Sequence, residues 1–296
     1  MGPPGAAYTF PMTFKTVLAS DLNPIQTNAW LCAGVAPRPI AFASTVDAAG
    51  VRNLAPFSFF NAFGSNPPMV AFAPNRRGRD GTVKHTYLNA TATKEFVIAT
   101  VSHAMVQQMN VASAEYGDGV DEFLKAGFTP APARFVKAAL VAESPFQMEC
   151  RLHREIELGS GPGSGLMLIG EVLCFHVDEA LMKGELPDPA KLDQVGRAGG
   201  AYYTRAFGES LFEIAKPAGQ PIGWDALPAV LKASSLLTGN DLGRLANSAA
   251  LPDLTAAEAK AGDPADAEGL ERALQAALRR EDLAEAWRLA GLRLRA

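Results

Sequence analysis

The segment "NRRGRDGTVKHT" (75–86) sets Arg76, Arg77, Arg79 and Lys84 beside the hydroxyls of Thr82 and Thr86 and the imidazole of His85. Guanidinium and ammonium groups, with hydroxyls and backbone N–H groups close by, are what a phosphate needs. The same run also reads as a solvated basic loop, and the residues alone leave both readings open. Of the four histidines, only His85 has such neighbours. His153 falls on the polar side of an alternating stretch and reads as a surface residue. His176 sits inside an apolar run as a core histidine, and His103 reads as the start of a helix. The glycines of "GSGPGSG" (159–165) suggest a phosphate loop, but no Lys-Ser/Thr and no helical pattern follow them, so a flexible hairpin is the better reading.

Other catalytic signatures are missing from the sequence. It has no Gly-x-Ser-x-Gly, no His-Glu-x-x-His, no Walker lysine, and no Gly-x-Gly-x-x-Gly between a strand and a helix. A redox cofactor would therefore need an architecture other than the dinucleotide-binding fold. Cys32, Cys150 and Cys174 form an odd, widely spaced set that signals neither a disulfide framework nor zinc, and reduced, mostly buried thiols are expected. No metal site is expected.

The 296 residues allow one large domain with an appended segment. The 27 Lys and Arg against 31 Asp and Glu leave a charge of −4 and no long basic run, which argues against nucleic acid or an anionic membrane as the main partner. The start, "MGPPGAAYTFPMTFKTV", lacks a basic stretch followed by an apolar one, and Ala6 stands where a myristoylation signal has Ser or Thr. No apolar stretch is long enough to span a bilayer, so the expectation is a cytoplasmic protein.

The groups named above must be positioned by strands. "IAFASTVD" (40–47) places Ile40, Phe42 and Val46 on one parity and Ala41, Ala43 and Thr45 on the other, a strand covered on one face and closely approached on the other. "MVAFAP" (69–74) and "EFVIATVS" (95–102) are further strand-like runs. "FQMECRLHREIEL" (146–158) alternates Phe146, Met148, Cys150 and Leu152 with Gln147, Glu149, Arg151 and His153, predicting a long half-buried strand with Arg154 out of phase. It joins "LMLIGEVLCFHV" (166–177) in a hairpin. Short helices are expected within 81–92 and 102–113, the latter capped by Ser102. After residue 220 an Ala-rich helical tail follows. Thr255 with Glu258 reads as a capping box, Asp263 as a cap and Pro264 as the first helical residue. Its stripe of Leu270, Leu274, Leu278, Leu283 and Trp287 is expected to pack on the main domain or on a second subunit. "RNLAPFSFFNAFGSNPPMV" (52–70) reads as a strand running into a ligand-lining loop, because Pro56, Pro67 and Pro68 lack the N–H that ladder pairing needs.

"PRPIAFASTVDAAGVRNLAPFSFFNAFGSNPPMVAFAP", with "KHTYLNATATKEFVIATV", "FQMECRLHREIEL", "IGEVLCFHV" and the late "VGRAGGAYYT", resembles the flavin reductase-like family of FMN-binding split-barrel proteins over about residues 30 to 205. The resemblance implies a mainly β fold: an antiparallel Greek-key split β-barrel of six strands with short helices, here with a helical C-terminal extension. With the tail read from its own helical pattern, outside the resemblance, the expected organisation is an N-terminal extension over 1–29, an FMN-binding domain over 30–220 and the helical extension over 221–296. The resemblance also implies a homodimer with FMN near the subunit interface.

Carried over residue by residue, the resemblance places Ser44 and Thr45 at the end of a strand against the flavin. It makes Asn53, Leu54, Ala55, Pro56, Phe57 and Ser58 a loop whose backbone lines the isoalloxazine, followed by Phe59, Phe60 and Asn61. Lys84 and Thr86 match the family's Lys-Asp-Thr, which helps hold the FMN phosphate; His85 replaces the Asp, and Arg79 lies in an expanded stretch before it. Arg197, Tyr202 and Tyr203 match a late Arg-Gly-Gly-x-Tyr element near the flavin. The implied activity is an NAD(P)H:flavin oxidoreductase, passing hydride from nicotinamide C4 to flavin N5 with NADH or NADPH as reductant and a partner enzyme as one acceptor of reduced flavin. No side chain need act as general acid or base. Two alternatives stand beside it: an FMN-binding electron-transfer protein without its own NAD(P)H reaction, and a flavin-free relative acting through its tail.

Overall fold

In the computed structural model, which describes residues 13–217 and 219–296, the alternating run becomes the long strand Phe146–Glu157. The strands among the described residues are β1 (Arg38–Pro39), β2 (Ala41–Val46), β3 (Arg52–Phe57), β4 (Phe60–Ser65), β5 (Pro68–Phe72), β6 (Glu95–Ala99), β7 (Pro130–Ala131), β8 (Leu140–Val141), β9 (Phe146–Glu157), β10 (Leu166–Val177), β11 (Met182–Lys183), β12 (Leu186–Pro187), β13 (Gln194–Arg197) and β14 (Tyr203–Ala206). The helices are α1 (Pro24–Gly34), α2 (His85–Thr93), α3 (Val106–Ala112), α4 (Glu122–Ala126), α5 (Ala229–Lys232), α6 (Gly239–Ala246), α7 (Ala267–Arg279) and α8 (Leu283–Arg293). None is long and apolar enough to cross a membrane. The N-terminal reading about export and lipid attachment falls mainly on residues 1–12, outside the described residues.

The chain forms two compact units. One is Thr16–Phe212; the described part of the other is residues 13–15, 213–217 and 219–296. In the first, seven strands make an antiparallel sheet in the order β3-β2-β6-β9-β10-β5-β4. Its two edges, β3 and β4, are consecutive in the chain and joined only by Ser58 and Phe59. A flat sheet of seven strands at about 4.8 Å spacing would hold its edges roughly 29 Å apart, whereas three peptide units reach at most about 11 Å. The sheet therefore curls until its edges meet at this corner, with no ladder between them. One buried cluster draws on both halves of the curl: Ala41, Ala43, Phe57, Phe72, Phe96, Met148, Cys150 and Leu168. A second, on the other face of β2 and β3, packs Phe42 and Leu54 against Met105, Met109 and Phe123 of the helical segment that includes α3 and α4. Both faces of β2 are thus covered, and Ala41 and Ala43 are small where Phe57, Phe72 and Phe96 crowd the interior.

In this unit four expectations need correcting. Asn53–Phe57 is a strand in register with β2, from Thr45 opposite Asn53 to Ala41 opposite Phe57, rather than a loop; Pro56 fits because β3 is an edge. The polar parity of β9 is buried at its start: Gln147 holds the Val141 backbone through both N–H and C=O, and Glu149 accepts from the backbone of Arg134, Phe135 and Val136. These side chains anchor the segment 130–141 over the sheet. Ser102 precedes a short 3-10 turn, His103–Met105, without capping it through its side chain. Of the cysteines only Cys150 is buried, although all three are free.

In the second unit, α7 is capped by Asp266, not Asp263, and Glu281 in the left-handed region (φ 62°) ends the run before α8. Asp263 is instead a partner of Arg288, and Asp253, not Thr255, caps the 3-10 turn Leu254–Ala256. The leucine stripe packs on leucines of its own unit: Leu270, Leu274 and Leu278 meet Leu231, Leu242, Leu245 and Trp287, while Leu283 is 38% exposed.

Candidate functional site

The helix α2 begins where the basic run ends. Its first-turn N–H groups need acceptors, yet its N-cap residue is Lys84, which has none to offer, and no side chain caps it. The backbone N–H groups of His85 and Thr86 have no partner among the described residues. His85 and Thr86 border, with Lys84 and Arg77, a cleft of about 100 Å³ walled on the other side by Asn53, Ala55, Pro56 and Phe57 of β3 and closed by Glu122 and by Ala112–Tyr116 at and beyond the end of α3. The Lys84 ammonium lies 5.2 Å from the centre of the Phe57 ring. Burial and the charge of Arg77 lower its pKa from the ordinary lysine value. Arg77 donates to Thr82 Oγ1 (3.1 Å) and the Val83 carbonyl (2.8 Å), and its ion pair with Glu115 is loose at 3.6 Å. The result is a concentration of positive charge and free donors at one end of a cleft, an arrangement suited to an anion.

Behind the β3 wall lies a closed polar network. Asn53 accepts from the Thr86 hydroxyl (2.6 Å) and the Thr45 hydroxyl (3.3 Å) and donates to Glu122 (3.0 Å). The other Glu122 oxygen takes the backbone N–H of Leu54 at 3.0 Å. Burial pushes the Glu122 carboxyl above its ordinary value, against the pull of these donors. The antiparallel ladder turns Leu54 and Pro56 outward from β2. The Leu54 N–H is taken by Glu122 and Pro56 has none, so between Leu54 and Pro56 the outer edge of β3 offers carbonyl acceptors and no free N–H.

Seven of the sixteen residues picked from the sequence border this cleft: Asn53, Ala55, Pro56, Phe57, Lys84, His85 and Thr86. His85 is held by Asp118 at 2.7 Å. Thr45 and Leu54 are buried behind the wall, and Ser44 is buried with its hydroxyl unpartnered. Ser58 and Phe59 form the corner beyond, where Arg38 donates to Ser58 Oγ (3.3 Å) and lies over the Phe59 ring (5.9 Å). Asn61, Arg79, Arg197 and Tyr202 do not border the cleft: Asn61 and Tyr202 are exposed, Arg79 pairs with Asp80, and Arg197 stacks on Tyr203 at 4.5 Å. The sequence reading missed Glu122 and Ala112–Tyr116, for which no motif speaks. Arg77 stood in the basic run but nothing there singled it out from Arg79.

The chain's residues 33–208 match the flavin reductase like domain, and the chain belongs to that family. The second unit lies beyond the match apart from residues that precede it. An uncharacterized protein of Aquifex aeolicus is 36% identical over 181 residues, 61% of this chain and 90% of that protein. Among solved structures, nitrilotriacetate monooxygenase component B from Bacillus cereus is similar with a TM-score of 0.64 and 30% identity, over 69% of this chain and all of that one. Flavoredoxin of Desulfovibrio vulgaris (Miyazaki F) is similar with a TM-score of 0.51 and 27% identity, over 62% of this chain and 92% of that one.

Proposed function

We propose that the chain binds FMN and acts as an NAD(P)H-dependent flavin reductase of the split-barrel kind. The observation that carries this reading is the uncapped start of α2, with Lys84 and Arg77 beside it, facing the β3 edge across one cleft. These groups fit FMN: unpartnered N–H donors and two cations suit a phosphate, and an edge of carbonyl acceptors suits a ring that carries an N–H. Bound FMN supplies the hydride-accepting chemistry. Lys84, Arg77 and the His85 and Thr86 N–H groups hold the phosphate; Asn53 and Glu122 fix the β3 edge that orients the ring; Phe57 excludes water.

The cleft of about 100 Å³ is smaller than the roughly 300–1,000 Å³ of small-molecule pockets. We assign the missing wall to a second copy of the chain, which fits the exposed Trp30, Phe63 and Tyr202. Three free thiols suit a reducing cytoplasm. The similarity to flavoredoxin favours a second reading, an FMN-binding electron carrier without its own NAD(P)H reaction.

Anaerobic addition of NADH and NADPH to the purified protein separates the two. A yellow protein bleached by either nucleotide supports the reductase, and a yellow protein that resists both supports the carrier. A colourless protein that fails to take up added FMN refutes both.

A further inference from the structure

At one point of their ladder, β9 and β10 bring together three different metal-binding groups. Glu149 of β9 is fully buried, Cys174 of β10 pairs directly opposite it, and His176 lies two residues further along β10. A β-bulge makes this possible: Val172 pairs with Cys150 and Cys174 with Glu149, so Leu173 is the extra residue. In an unbroken ladder Leu173 would oppose Glu149, and Cys174 and His176 would point to the opposite face. As built, the ligand atoms of Glu149, Cys174 and His176 all lie within 4.8 Å of one another, with His176 Nε2 2.7 Å from Glu149 Oε1.

The carboxylate is held in place beforehand. Backbone N–H groups of Arg134 (2.8 Å), Phe135 (2.6 Å) and Val136 (3.1 Å) donate to it. Cys174 and His176 are partly exposed, so an ion can enter from solvent. None of the three borders the cleft beside α2.

We propose that Glu149, Cys174 and His176 form a site for a zinc-type divalent transition metal, with its fourth coordination position open to water. A thiolate, an imidazole and a carboxylate on a tetrahedral ion match this class and not calcium or magnesium. With metal–oxygen and metal–nitrogen distances of about 2.0–2.1 Å, a tetrahedral ion sets the oxygen and nitrogen roughly 3.3 Å apart. The present hydrogen-bonded contact must open by about 0.6 Å, which the partly exposed His176 can provide. Binding replaces the Nε2–H···O bond: the ring proton moves to Nδ1, and the Cys174 thiol releases its proton to solvent. The backbone donors to Glu149 then serve as the supporting shell that orients the ligand. Sequence spacing gives no sign of this, because a Cys-x-His pair on one strand is completed by a glutamate from its neighbour.

The test is a titration of the full-length, reduced protein with Co²⁺, read by thiolate-to-cobalt absorption in the near ultraviolet. One equivalent of Co²⁺ is expected to develop the band, and Zn²⁺ to abolish it. Cys174→Ala should remove the band, Cys32→Ala should retain it, and His176→Gln should weaken Co²⁺ binding at least about tenfold. Circular dichroism of each variant confirms that the fold persists. The absence of a band in the wild type, its survival in Cys174→Ala, or unchanged affinity in His176→Gln in a folded protein would overturn the proposal.

Discussion

Removing the Glu122 carboxylate tests whether the cleft wall is held from behind. Glu122 is 4% exposed and accepts from Asn53 Nδ2 and from the Leu54 N–H, each at 3.0 Å. Glu122→Ala leaves two buried donors without acceptors, each a loss of about 1–3 kcal/mol, while relief of a buried carboxylate returns part of this, so a net loss of about 2–4 kcal/mol is expected. In Glu122→Gln one amide oxygen keeps one bond but the amide nitrogen faces a second donor, for a loss of about 1–3 kcal/mol.

The pH dependence has a definite sign. The folded Glu122 binds its proton more tightly than the unfolded group, whose ordinary value is near 4.5. Wild-type stability relative to Glu122→Gln is therefore greatest below pH 4.5, declines as pH rises from there through the raised folded value, and is flat above it. Because the chain has two units, a whole-chain signal would mix two transitions. Hydrogen exchange read by mass spectrometry in urea, on peptides spanning 52–57, isolates the relevant one. An unchanged midpoint with full protection of the Leu54 amide in Glu122→Ala would refute the argument.

Lys84→Ala is expected to weaken FMN binding by about 1–3 kcal/mol in a fluorescence titration. Because the pKa of Lys84 is lowered, wild-type affinity should begin to fall with rising pH below the ordinary lysine value of 10.5. Arg38→Lys should destabilise the first unit by about 2–4 kcal/mol in urea unfolding, since a single ammonium cannot replace a buried fork that donates to the carbonyls of Cys32 (2.7 Å) and Val35 (2.6 Å) and to Ser58 Oγ (3.3 Å). Gly170→Ala places a methyl group against the fully buried Phe96 ring and should cost about 1–3 kcal/mol by overpacking, seen as a lower melting temperature.

Local alternation and β-branched or aromatic runs located β2, β5, β6, β9 and β10, because such patterns depend on neighbours in sequence. The buried state of Gln147 and Glu149 was not legible. Their parity is polar, and only the distant segment 130–141, whose backbone they anchor, covers them. The cap at Asp266 was missed for Asp263 because both are aspartates before the same apolar stripe, and the Arg288 partnership that claims Asp263 is non-local. At the cleft, the resemblance picked out the β3 edge and Lys84, while Glu122 and Ala112–Tyr116 reach the site through tertiary packing. Arg197 and Tyr202 matched a motif yet stand away from the cleft in a single chain.

The meeting of the two sheet edges at Ser58 and Phe59 has a consequence for how the molecule is made. The β2–β3 and β4–β5 hairpins are local and can close as soon as residues 41–72 exist. Between them in the finished sheet stand β6, β9 and β10, which come from residues 95–177. A nascent chain therefore carries both flanks of the sheet while their centre is still unsynthesised, and the late, long-range insertion sets the pace of assembly. The residues that line the cleft beside α2 all fall between Asn53 and Glu122, so the chain carries every part of that wall before β9 and β10 of the supporting sheet are made.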